Sequence, residues 1–201
     1  VIKGQDYNMP MLQRLLDLGC TLIDYELITD DNGRRLVFFG RHAGLAGMID
    51  SLWAFGKRLK WEGFETPLAE IRRAHKYNSL HDAKGHLTEV GRLIQRDGLP
   101  EKLAPVVCGF AGYGNVSLGA QEILDLLPVE EITPDQIASI SENGPVNDRF
   151  FKVVFHEEHL VRPRDMEQVF DLQDYYDNAE KYESRFDQYL PYLNLLINCI
   201  Y

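Results

Sequence analysis

Cysteine is scarce in this chain: Cys20, Cys108 and Cys199 are the only three in 201 residues, far apart and each inside an apolar run. A disulfide framework or a zinc site wants pairs at short spacing, so all three read as reduced core residues, metal is not expected, and the protein is expected to be intracellular. Positive charge is also short. Lys and Arg number 21 against 31 acidic residues, a formal charge of −10, which argues against nucleic acid or an anionic membrane as partner. No apolar run approaches the length of a membrane span, and no charged-then-apolar signal peptide opens the chain. Nor is there an initiator: Val1-Ile2-Lys3-Gly4 reads like the middle of a segment, so a longer parent chain is expected.

What is present is a chain with 45% hydrophobic residues, enough for a real core of one or two α/β units. Its most informative stretch runs from Pro105 to Ala120. An apolar run, Val106 to Phe110, leads into Gly112-Tyr113-Gly114 and then into a helix face of small and apolar residues, Gly119, Ala120, Ile123 and Leu124. That is the order a dinucleotide site requires. A strand delivers the chain to a tight turn, Gly112 permits the turn, and Gly114 lets the backbone approach a pyrophosphate. The helix then aims its free N–H groups and positive dipole end at the anion. Ser117 replaces the third glycine of the fingerprint and is small enough for close helix–strand packing. The glycine pattern alone is a weak signal; the readable strand before it and helix after it strengthen it. The candidate cofactor residues are Gly112, Gly114, Asn115, Val116 and Ser117.

Around that motif the pattern is α/β. Asn8 and Pro10 open a helix that Gly19 stops. Cys20 to Leu27 reads as a strand, Asp30-Asp31-Asn32-Gly33 as a turn, and Arg34 to Gly40 as a second strand. A long helix is expected from His42 to Lys60, with Gly44 and Gly47 allowing close approach to a neighbour. Pro67 to Arg96 is again helical in pattern, and Asp97-Gly98-Leu99-Pro100 marks the expected domain boundary, with residues 1–100 in one lobe and 101–201 in the other. Beyond the motif, Val129 to Ile132 is the expected second strand and Asp135 to Ser141 a short helix. Phe150 to Phe155 is a third strand, and Leu195 to Tyr201 a buried one. The expected core includes Leu36, Val37, Phe38, Ile49, Leu52, Val106, Val107, Ile123, Leu196 and Ile197.

An acid about twenty residues past the first fingerprint glycine would bind the adenine ribose and favour NAD. Glu130 and Glu131 are near that distance but lie within the expected strand. Thr133, the strand-end residue, carries no charge to repel a 2′-phosphate, yet no Arg or Lys stands beside it to hold one. Arg34 and Arg35 are the candidate binders of a substrate carboxylate or cofactor phosphate; alternation along a strand sends only one into a cleft, with Arg34 favoured. Arg41 is a weaker candidate of the same kind. His156-Glu157-Glu158-His159 is not HExxH, since its histidines are three apart. The tyrosines between Tyr175 and Tyr192 read as a packed, half-exposed helix face, among acids that exclude a nucleic-acid platform.

Several segments together resemble one family, the lysine-ketoglutarate reductase domain of aminoadipic semialdehyde synthases and the related saccharopine dehydrogenases. They are Ile2-Lys3-Gly4-Gln5 with Asn8-Met9-Pro10, Gly33 to Gly40, Ala43 to Ile49, Gly112 to Gln121, His159 to Arg162, Tyr182 to Phe186 and Leu196 to Tyr201. Gly-Asn-Val-Ser-x-Gly-Ala-Gln is the most specific of them. The resemblance implies two Rossmann-like lobes of an architecture shared more distantly with alanine dehydrogenases, each incomplete in this chain. It implies condensation of lysine with 2-oxoglutarate and hydride reduction to saccharopine, or the reverse, with NADP as cofactor and NAD as the alternative. The compartment is then the cytoplasm of a bacterium or the mitochondrial matrix of a eukaryote, and an oligomer is left open. Lys3 matches a catalytic lysine of the family, the alternative being a solvated lysine. The family's acid–base His would fall immediately before Val1, and its earlier half-domain is not in this chain, so the chain alone is expected to be inactive. The other readings are a non-catalytic nucleotide-binding module and an alanine-dehydrogenase-like oxidoreductase.

Overall fold

The structure is a computed structural model that describes residues 5–142 and 144–200. The chain divides into two compact units, Val1–Phe39 and Gly40–Tyr201.

In the first unit, helix α1 spans Met9–Asp17, with Pro10 in its first turn where a missing N–H costs nothing. Gly19, at φ +63°, ends it. The turn at Asp30–Gly33 forms as expected: Asp30 Oδ1 accepts from the N–H groups of Asn32 (3.0 Å) and Arg34 (2.8 Å), and Gly33 takes φ +76°. The two strands around it do not form. Tyr25–Leu27 is a 3-10 turn capped by Asp24, and a single antiparallel bridge, Thr29 to Arg35, joins the arms. Of the expected core, Leu36 is 56% and Phe38 64% exposed. Strand pairs gain from a face to bury, and none of the described residues of these arms is buried.

The second unit opens with α2, Gly40–Trp61, which buries Leu45, Met48, Ile49, Leu52, Phe55 and Leu59 at helical spacing. Residues 67–76 form two 3-10 turns in place of the helix expected there. Helix α3, Leu80–Asp97, starts where Ser79 Oγ accepts from the Asp82 N–H and stops at Gly98, φ +75°. Strand β1 is Val106–Ala111, α4 is Asn115–Leu124, β2 is Val129–Ile132, α5 is Ile137–Glu142 and β3 is Phe150–Phe155. Helix α6 (Glu157–Leu160), strand β4 (Val161–Pro163), helix α7 (Leu172–Asp177) and strand β5 (Tyr182–Ser184) follow, then strand β6 (Leu195–Asn198). Strands β4 and β5 make a small antiparallel pair.

The main sheet has the order β2-β3-β1-β6 and every pairing in it is parallel. Both faces of it are covered, as a parallel sheet requires. Val106, Cys108 and Phe110 of β1 join α2, α3 and α4 in one core, whereas Val107 joins Phe151, Val153, Phe155 and Tyr189 in another on the opposite face. Residues 45–99 therefore share a core with 106–150, and the sheet lies wholly after residue 105. On β6, Leu196 is 42% exposed, unlike the buried residue expected.

Helices α2 and α4 touch backbone to backbone. A Cβ on Gly44 would run into the Val116 carbonyl and stand 2.8 Å from the Ala120 nitrogen; one on Gly119 would meet the Arg41 carbonyl. Gly47 has nothing within 4 Å of that point. Of the two glycines expected to allow close approach, Gly44 does so.

Candidate functional site

Strand β1, buried at every position, delivers the chain to the carboxyl edge of the sheet. Gly112 turns it there with φ +95°, a conformation that a side chain would oppose, and its N–H donates to the Phe155 carbonyl (3.0 Å). Gly114 is the N-cap of α4, and among the described residues nothing lies within 4 Å of the place a Cβ would occupy. The turn therefore presents an open face, flanked by first-turn N–H groups that have no intrahelical acceptor. Ser117 is fully buried, with its Oγ accepting from Gln121 Nε2 (2.9 Å). Gly119, two residues further on, is the α4 glycine in close helix contact, since a Cβ there would meet the Arg41 carbonyl of α2.

A cleft of about 470 Å³ opens at the carboxyl ends of β1, β3 and β6, lined among others by Gly112, Tyr113 and Gly114. A ligand crevice of an open parallel sheet belongs at this place, outside the strand ends and on either side of the strand where connections change direction. Helix α7 contributes Tyr175 and Tyr176 to its wall. The tyrosines do not share one helix face. Tyr182 and Tyr189 are buried, whereas Tyr176 is exposed and turned to the cleft.

Among the described lining residues the charged side chain is Glu157, just after β3. Its Oε1 accepts from Tyr176 Oη (2.8 Å) and Tyr113 Oη (3.5 Å), and the Tyr113 ring stacks on His156 at 4.2 Å between centroids. Burial pushes the Glu157 carboxyl up, but its own backbone N–H and the two tyrosine hydroxyls outweigh this and hold it below the usual carboxylate range. The same carboxylate pushes both phenols up. Burial lowers the His159 imidazole, whose Nδ1 accepts from the His156 N–H (3.0 Å). Burial also raises the Cys199 thiol on the cleft wall and drives the Cys108 thiol well up. Among the described residues, no group of three or more His, Cys, Asp or Glu side chains is placed to hold a metal ion.

The structure brings Gly112, Gly114, Asn115, Val116 and Ser117 together at one turn. Thr133 is not among them. It caps a 3-10 turn through its N–H to Gln136 Oε1 (2.9 Å), at the end of β2, and β2 is the edge strand two places from β1. At roughly 4.8 Å per strand, that places it near 10 Å to the side of the turn. The strand beside β1 is β3, and the residues at its end are His156 and Glu157. Sequence reading weighed those two only as metal ligands. The usable signal was an acid directly after a buried apolar run.

Arg34 and Arg35 lie in the first unit. Arg34 is exposed; Arg35 donates through Nε to the Val37 carbonyl (2.6 Å) and pairs with Glu26 (3.2 Å). Arg41 is tied through Nε to Glu122 of α4 (2.9 Å), a carboxylate that Lys84 also engages, so it serves helix packing. Lys3 lies outside the described residues.

No family model matches the chain. It is 39% identical to the alpha-aminoadipic semialdehyde synthase of Arabidopsis thaliana over 99% of its length. It is also 39% identical to the mitochondrial alpha-aminoadipic semialdehyde synthase of Bos taurus over its whole length. The saccharopine dehydrogenase [NAD(+), L-lysine-forming] of Candida glabrata is 29% identical over 71% of it. The chain spans 20% and 22% of the two synthases and 37% of the dehydrogenase. From end to end the chain is similar to one segment of the synthases, and it is a relative of that segment.

Proposed function

We propose that the protein carrying this chain is a nicotinamide-dinucleotide oxidoreductase of lysine degradation, joining lysine and 2-oxoglutarate to give saccharopine or running the reverse. The observation that carries the reading is the open turn at Gly112–Gly114, set over a cleft at the carboxyl edge of a parallel sheet. It is supported by kinship to proteins named for this chemistry.

The residues fit a dinucleotide. Gly114 leaves its approach side empty, so a pyrophosphate can come against the backbone. The first-turn N–H groups of α4 supply donors and the positive dipole end. When bound, the nicotinamide supplies or accepts a hydride. The chain's own part is to hold the anion and to narrow the cleft with Tyr113, Tyr175 and Tyr176.

The substrates bring carboxylates that need cations, preferably Arg with its planar fork. No described Lys or Arg lines the cleft. Lys3, Arg34 and Arg35, assigned by resemblance, are proposed to serve the substrate side. In the same reading, residues 1–100 belong to the substrate lobe of the parent and 101–201 begin its dinucleotide lobe, with residues 45–99 packed into one core with 106–150. Resemblance favours NADP, with NAD as the alternative.

Gly114→Val in the intact protein tests the site. Because no described residue lies where the new Cβ would stand, the variant should keep its circular dichroism and melting midpoint while losing NADH and NADPH binding, followed by nicotinamide fluorescence. Unchanged affinity for both would remove the assignment.

A further inference from the structure

Between β3 and β6 the chain makes an excursion, residues 161–184, that leaves the main sheet and returns to it. Strands β4 and β5 pair at its base, and the Arg185 N–H donates to the Leu160 carbonyl (2.9 Å) where its two ends meet. The excursion is tied to itself. Asp174 Oδ1 accepts from Asn178 Nδ2 (2.8 Å) and Lys181 Nζ (2.9 Å), and its Oδ2 accepts from Tyr182 Oη (3.0 Å). The rings of Phe170, Tyr175 and Tyr182 pack against one another. None of residues 161–184 belongs to either hydrophobic core or packs against one.

We propose that residues 164–181 are a hinged lid over the dinucleotide cleft, latched by the hydrogen bond from Tyr176 to Glu157, and that opening of this lid gates entry of the dinucleotide. The inference rests on the dinucleotide reading above and adds to it the device that controls access.

Three observations carry it. The first is placement. Tyr175, Tyr176 and Ala179 of this segment line the same cleft as Gly112, Tyr113 and Gly114. The second is attachment. Among the described residues, the bond from Tyr176 Oη to Glu157 Oε1 (2.8 Å) is the one hydrogen bond or ion pair that joins residues 164–181 to the chain outside 160–185. A segment outside the cores and held by one such tie lies at the low end of local stability, and moving lids are drawn from segments of that kind. The third is the nature of the tie. Its acceptor is a carboxylate, which makes the bond stronger than one between neutral groups. The same oxygen also accepts from Tyr113 Oη (3.5 Å), between the two fingerprint glycines, so the latch fastens the lid to the turn itself.

The test applies hydrogen–deuterium exchange and stopped-flow NADH fluorescence to the intact protein. Tyr176→Phe keeps the ring and removes only the latching hydroxyl. Tyr175→Phe is the control, because among the described residues the Tyr175 hydroxyl makes no hydrogen bond. Circular dichroism checks the fold of each. In Tyr176→Phe the amides of residues 164–181 should exchange about three- to tenfold faster than in the wild type, with those of β1 and β3 unchanged. The wild-type binding rate should level off as NADH is raised, because lid opening then limits it, and Tyr176→Phe should raise that plateau by a similar factor. Tyr175→Phe should match the wild type in both measurements.

Both quantities must move together. Faster exchange with an unchanged plateau would overturn the gate, since the segment would open without controlling entry. A faster plateau with unchanged exchange would overturn the lid, since the hydroxyl would then act as a local plug. A wild-type rate that stays linear in NADH, or a Tyr176→Phe protein like the wild type in both respects, would also overturn the inference while leaving the dinucleotide site standing. Failure of folded wild-type protein to bind NADH or NADPH would overturn the dinucleotide reading and the gate with it.

Discussion

Residues 5–39 and residues 40–200 are written in the same apolar vocabulary and come to different ends. The second unit buries Val106, Val107, Cys108 and Phe110 on the two faces of a parallel sheet that helices cover. The first unit has Leu22, Ile23, Leu36, Phe38 and Phe39 in strand-like runs, and all of these are exposed; none of its described residues is buried. Strand propensity is a preference for a pleated, half-buried surface, and it is realised only where another element supplies the other half of the burial. Between Val106 and Phe155 the crossovers bring such partners. Around the Asp30–Gly33 turn the chain supplies a turn and one bridge.

The largest effect that could break this contrast compares one residue type in both units. Phe150 is fully buried and Phe38 is 64% exposed. Phe150→Ala should cost about 3–5 kcal/mol in urea unfolding, by lost burial and the cavity left behind. Phe38→Ala should change stability by no more than about 0.5 kcal/mol. A comparable cost for the two would mean that the first unit buries its apolar side chains after all.

A smaller effect sharpens the account of how the second unit is assembled. Gly44→Val should destabilise by about 1–3 kcal/mol or more, because its side chain must displace the α4 backbone at Val116 and Ala120. Gly47→Ala, one turn along on the open side of the same helix, should be neutral or stabilise by up to about 1 kcal/mol through helix propensity. Equal melting midpoints for the two variants would refute the close crossing of α2 and α4.

The smallest effect is electrostatic. Hydrogen bonds from Lys84 and then Arg41 hold the Glu122 carboxyl below its ordinary range. A depressed carboxylate contributes stability that is fully present above its unfolded pKa and is lost as pH falls through the folded value. Glu122→Gln should therefore flatten the acid limb of the stability–pH curve and leave the alkaline side alone. Solvent screening keeps the size modest. An acid limb identical in wild type and variant would show that the cluster joining α2, α3 and α4 contributes nothing measurable.

Much of the second unit was legible because its signals are local. Val106–Ala111 and Phe150–Phe155 are short apolar runs with sharp ends, and the helix over residues 40–61 carries its periodicity through six turns. Residues 67–76 misled because Pro67 and Ala74 open separate 3-10 turns whose backbone continuations depend on contacts elsewhere. Leu196 misled because an apolar run reads as buried on both faces, whereas strand β6 lies at the edge of the sheet with Leu196 and Asn198 turned outward. At the site, the glycine turn was legible and its neighbour was not. Counting along the chain points to Thr133, and counting assumes that the next strand in sequence is the next strand in space.

The sequence by itself determined the turn at Gly112–Gly114, the strand and helix on either side of it, and the similarity to the synthases, since each is written in contiguous residues. Tertiary structure alone decided that β3 lies beside β1, that Glu157 shares the cleft with the turn while Thr133 ends the edge strand, and that Gly44 meets Val116 while no described residue lies against Gly47. The physical reason is the range of the interaction. A tight turn is set by the φ and ψ of one or two residues. The order of parallel strands is set by crossovers and by which faces bury best together, and nothing within Val129–Ile132 specifies its neighbour.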